Sequence, residues 1–231
     1  MKKRMSVLML QLRMVIYKVL LVSVLLGAVE GIAYVITAGK IKDYGLLMEV
    51  MHVPLIFMIA FLAVMVILCR SESGRAVSSY TIQRMAVTER EYIGIQIITN
   101  AICLLLIYAV QIILAAVMYK LFVSTGVQSA TAAYAGIYSS DNLFLLIPLL
   151  NVGQWIKNLL MILIAAVSCS CAQDALRHNS HVSVSIFITT SILVNRGFRS
   201  WGMLAFALLW VIISIAVTIS SAHDGLRGKE R

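Results

Sequence analysis

Apolar residues fall along this chain in long runs separated by short polar stretches. Runs of about twenty apolar residues match the ~30 Å hydrocarbon thickness of a bilayer at helical rise. Five such runs, at about 19–38, 47–69, 93–121, 154–173 and 201–220, and a short one at about 182–195 are predicted to make six spans. Ahead of them, residues 4–18 place Met5, Leu8, Met9, Leu12, Val15 and Ile16 at three- and four-residue spacing among Lys2, Lys3, Arg4, Arg13 and Lys18. This pattern predicts an amphipathic helix lying at the membrane surface over residues 1–18. Between the second and third runs, residues 70–92 carry Arg70, Glu72, Arg75, Arg84, Glu89, Arg90 and Glu91. The apolar residues Ala76, Val77, Tyr80, Ile82, Met85 and Val87 are interleaved with them, which predicts a short water-exposed helix with a packing face. Residues 123–142, small and hydroxyl-rich with Asp141 as the one charge, read as a loop. Residues 143–150 are too short to span and are broken by Pro148, so they read as an interfacial or re-entrant piece.

Composition agrees. The 231 residues are 61% hydrophobic and 13% charged, with a mean hydropathy of +0.95, well above the content of soluble domains. Backbone groups in lipid must be satisfied internally, and the ten-residue alternation of barrel strands is absent, so the expected fold is a single all-α transmembrane domain. The net charge of +9 comes from residues flanking the apolar runs instead of forming a stripe, which argues against a nucleic-acid partner. With the N-terminus inside, thirteen Lys and Arg fall on the cytoplasmic side and six on the other. The positive-inside rule then puts both termini in the cytoplasm. The start resembles a signal-peptide n-region, but Gln11, Arg13 and Lys18 interrupt the apolar stretch after it and no cleavage is expected. Cys69, Cys103, Cys169 and Cys171 fall in or at the ends of spans, as small apolar fillers.

Polar residues inside spans are the first candidates for function, because burying them costs a few kcal/mol. Glu30 in the first span reads as a proton or cation site, as a partner for a basic residue, or as a residue facing a wet cavity. Asn100, with Gln96 and Gln111, reads as lining a path or as bonding between helices. Glu49 and His52 have the three-residue spacing of di-metal bundles, without the second unit such a centre needs. His178 and His181, near Asp174, Cys169 and Cys171, are better read as the polar end of a span than as metal ligands. No His-Glu-x-x-His, Gly-x-Ser-x-Gly or Gly-x4-Gly-Lys-Ser/Thr motif occurs. Neither catalysis nor a cofactor is expected, and energy for uphill transport has to come from an ion gradient or from a separate ATP-binding protein.

The stretch Ser79-Tyr80-Thr81-Ile82-Gln83-Arg84-Met85-Ala86-Val87-Thr88-Glu89-Arg90, followed by Ile97-Ile98-Thr99-Asn100-Ala101-Ile102-Cys103-Leu104-Leu105-Leu106, resembles the second-to-third-span region of bacterial six-span permeases of type-2 ABC exporters. Leu145-Leu146-Ile147-Pro148-Leu149-Leu150 and Trp155-Ile156-Lys157-Asn158-Leu159-Leu160 are similar to their extracellular hairpin and fourth span. The resemblance implies a bacterial plasma-membrane subunit that pairs with a second permease chain. It further implies a coupling helix at 70–92 that docks on a separate cytoplasmic ATPase through Arg75, Tyr80, Arg84, Glu89 and Arg90. Two other classes stay open: an ion-coupled secondary transporter built around Glu30, and a membrane assembly or signalling protein whose 70–92 segment binds a regulator.

Overall fold

A computed structural model describes residues 2–70, 89–126, 128–139 and 151–177, with isolated helical positions at 205, 208, 209 and 212. Every regular element among the described residues is helical. In chain order these are α1 (Lys2–Thr37), α2 (Tyr44–Val50), α3 (Val53–Arg70), α4 (Glu89–Ser124), α5 (Ala130–Ser139) and α6 (Val152–Arg177). Four of them, α1, α3, α4 and α6, are long and apolar enough to cross a membrane. The fifth and sixth expected spans, at 182–195 and 201–220, and the 143–150 piece lie outside the described residues, apart from the isolated positions.

The separate surface helix expected at 1–18 is not present as such, since α1 runs unbroken from Lys2 to Thr37. Its buried positions show why. Val7, Gln11, Val15, Val19, Ser23, Leu26 and Glu30 recur every three or four residues along one stripe that crosses the expected boundary at 18 without a break. No proline interrupts it, and Arg13, Tyr17 and Lys18 lie on other faces. Met5 and Met9, placed on the apolar face by sequence spacing, are 63% and 62% exposed.

At 36 residues each, α1 and α4 measure about 54 Å, more than even a strongly tilted helix uses in crossing a bilayer. Both therefore project beyond it. They run parallel. At the start of each, Val7 packs with Tyr92 and Ile95 in a small cluster of its own; farther along, Gly27 lies against Leu114.

The expected second span divides in two. Asp43 caps α2 by accepting a hydrogen bond from Gly45 N at 3.0 Å. The chain then leaves the helix at His52, whose φ of 52° lies in the left-handed region. Pro54 accounts for the interruption, because its ring and missing N–H forbid a helix continuing through residue 50. As the second residue of α3, by contrast, Pro54 has an N–H position that needs no partner.

The segment read as a loop at 123–142 contains α5. Its alanines are the best helix formers, and α5 packs on α2 at a backbone-to-backbone approach. A Cβ on Gly45 would lie 2.9 Å from the carbonyl carbon of Gly136, and one on Gly136 would lie 3.0 Å from Gly45 N. Tyr44 anchors this pair of short helices to the bundle. Its phenol donates to the Ala115 carbonyl at 3.1 Å, its ring packs on Tyr119 and Phe122, and its backbone N–H donates to Gln128 Oε1 at 3.1 Å.

One continuous core joins α1, α3, α4 and α6, with Phe57, Phe61, Met65, Leu104, Ile107 and Ala165 fully buried in it. At one level Phe57 of α3 meets Tyr108 of α4, which in turn meets Trp155 of α6. At the other end Cys69 and Cys169 pack together, each thiol within 3.9 Å of a carbonyl on the opposite helix. The four cysteines are thiols outside any disulfide, and all but the half-buried Cys171 are buried.

Candidate functional site

Two polar levels cross the apolar bundle. The first lies where α3 ends. Gln173 of α6 donates from its amide to the Leu68 carbonyl of α3, and its Oε1 accepts from Gln96 and Asn100 of α4. Asn100 Nδ2 also lies 3.0 Å from Ser170 Oγ and 3.4 Å from the Ala166 carbonyl. Thr99 lies 3.0 Å from the Ile95 carbonyl and 3.3 Å from Gln11 Oε1, bringing α1 into the same level. Gln173, the last residue of the expected fourth span, is buried at 3% exposure as the group joining three helices. Asn100, read in the sequence as lining a path or as bonding between helices, spends its amide hydrogens on α6. Each bond of this kind contributes on the order of 0.6 kcal/mol to helix association, so the level acts as a lock on register.

The second level lies toward the α2–α5 end. Asn158 of α6 donates to the Tyr108 hydroxyl at 2.9 Å and accepts from Gln154 at 3.1 Å. Lys157 is 2% exposed within α6, so it does not stand in an outer loop as charge counting along the sequence assumed. About one helical turn beyond Tyr108, Gln111 of α4 faces Glu30 of α1. Both side chains are completely buried. Among the described residues, neither carboxylate oxygen of Glu30, nor Nε2 or Oε1 of Gln111, has a hydrogen-bond partner. Tyr44, from the start of α2, closes the near side. Its phenol is held well above its usual pKa, first by burial and then by the neighbouring phenols of Tyr34 and Tyr119.

The remaining sequence candidates do not join this site. Glu49 and His52 are both exposed, and His52 has left the helix, so their three-residue spacing no longer places them on one helical face. No group of His, Cys, Asp and Glu among the described residues is suited to hold a metal ion. Glu89 and Arg90 form the first turn of α4, but their side chains lie outside the described residues, as do Arg75, Tyr80, Arg84, His178 and His181. Sequence reasoning missed Gln154, Asn158 and Ser170. The available signal was a polar residue recurring every three or four positions along an apolar helix.

Comparison with family models, with curated proteins and with solved structures finds no match to this chain. What the fold defines is an all-α membrane-embedded protein with four apolar helices among its described residues.

Proposed function

We propose that this chain is the non-catalytic permease subunit of an ATP-driven exporter. It forms the translocation path with a second permease chain, spans the bacterial plasma membrane six times, keeps both termini in the cytoplasm, and is driven by a separate ATP-binding protein bound to the 70–92 segment. The observation that supports this reading is that α3 ends and α4 begins at one end of the bundle. Leu68 of α3 and Gln96 and Asn100 of α4 meet at Gln173 there. The start of α1 packs at the same end, through Val7 against Tyr92 and Ile95. A charged segment joined at both ends to apolar helices in mutual contact can pass a push from an aqueous partner to the packed seam. Charged groups at such a wet interface fix register and encounter more than raw affinity.

The test is affinity purification of the tagged full-length protein in mild detergent. An ATPase subunit is expected to accompany the wild type and to be lost from the doubly substituted Arg84→Glu, Arg90→Glu protein. If no ATPase is recovered even after cross-linking, the exporter reading is wrong. A second reading, an ion-coupled transporter, is favoured by one specific observation: the unpartnered Glu30 and Gln111 in the α1–α4 seam. Ion flux that depends on Glu30 without any ATPase would select it.

A further inference from the structure

Four buried polar atoms at the α1–α4 seam lack partners among the described residues, and they belong to two side chains that face each other: Oε1 and Oε2 of Glu30, and Nε2 and Oε1 of Gln111. Counting donors and acceptors decides what the pair needs. With Glu30 ionised, its two carboxylate oxygens have only the hydrogens of a single amide nitrogen between them, Gln111 Oε1 has no donor, and a negative charge is buried, which is costly in apolar surroundings. One added proton changes the count. The carboxyl O–H donates to Gln111 Oε1, and Gln111 Nε2–H donates to the other carboxyl oxygen. The resulting ring of two hydrogen bonds satisfies all four atoms.

We infer that Glu30 is a proton-binding site closed by the amide of Gln111, the two facing side chains turning into this ring when the proton is bound. A metal cation fits less well. Hard cations take six or more oxygen ligands, and the seam offers the two carboxylate oxygens of Glu30, the amide oxygen of Gln111 and at most the lone pairs of the Tyr44 hydroxyl, whose hydrogen goes to the Ala115 carbonyl. A proton also needs no cavity. The titratable group beside Glu30 is Tyr44 on α2, which also has Tyr34 of α1 and Tyr119 of α4 about it, and α3 carries no titratable side chain before Cys69; the buried cation at this level, Lys157, is on α6. The inference holds whether or not an ATPase drives the protein.

Infrared spectroscopy of the purified full-length protein, in a detergent without ester groups and at neutral pH, reads this directly. Subtracting the spectrum of the Glu30→Gln variant from that of the wild type should leave the carbonyl stretch of a protonated carboxyl. That variant is expected to fold, because two facing amides form the same ring. In Gln111→Leu the band should persist and move to higher frequency, having lost its hydrogen bond to the amide. A carboxylate band in the difference spectrum overturns the inference, and so does a band that Gln111→Leu leaves in place. A band present in choline chloride and abolished by sodium chloride would overturn it too, by showing a metal-cation site.

Discussion

Gly45→Val is expected to detach α2 from α5 and to lower the stability of that end of the molecule by about 3 kcal/mol, the upper part of the range for forced overpacking. A side chain at this position raises helix propensity, by about 1 kcal/mol for alanine. That gain is outweighed, because the new Cβ would stand 2.9 Å from the Gly136 carbonyl carbon, and backbone cannot rotate away as a side chain can. The displacement carries Tyr44 off the Ala115 carbonyl and off the Tyr119 and Phe122 rings, since Tyr44 immediately precedes the glycine. Gly39→Ala is the matched control, with nothing within 4 Å of its added Cβ. Hydrogen exchange over residues 43–50 and 130–139, with thermal unfolding in detergent, should show fast exchange and early melting for Gly45→Val alone. Equal behaviour of the two variants would mean that α2 and α5 do not pack at these glycines.

Phe57→Ala should be the most damaging truncation on α3. The ring is fully buried, with its centroid 5.8 Å from that of Phe61 and 6.2 Å from that of Tyr108, where α3 meets α4. Core Phe→Ala substitutions cost about 3–5 kcal/mol. Here roughly 3 kcal/mol is expected, because lipid replaces water around the separated helices and the packing term dominates. Ile59→Ala, two residues on and 60% exposed, should cost little. Chemical unfolding in mixed micelles separates the two cases: a wide gap is expected, and similar losses would place both residues in comparable environments.

The apolar runs of α1, α3, α4 and α6 were legible in the sequence because length and hydropathy are local properties. The unbroken α1 was legible in principle. Its buried stripe through Val7, Gln11, Val15 and Val19 is visible as spacing, but Gln11 on the buried face and the flanking basic residues suggested a surface helix. Pro54 was the available signal for the α2–α3 interruption, but the apolar run over 47–69 read as one span, and His52 in the left-handed region is a consequence that only the fold reveals. In α5 the small residues suggested a loop, while their helix propensity and the Gly45–Gly136 approach favour a helix. The two polar levels were the least legible. That Gln173 lies inside, and that Gln111 faces Glu30 while Asn100 faces α6, depends on the register of helices far apart in the chain, which no local pattern encodes.

If α1, α3, α4 and α6 cross a membrane, the α1–α2 connection lies on one side of it and the charged segment after α3 on the other. Single cysteines replacing Lys40 and Arg70, probed in intact cells and in inverted vesicles with a membrane-impermeant maleimide, test this arrangement directly. The unsubstituted protein serves as the control for its own four thiols. Position 40 should react only from the cell exterior and position 70 only in inverted vesicles; reaction of both from the same side would contradict the membrane-spanning arrangement of α3.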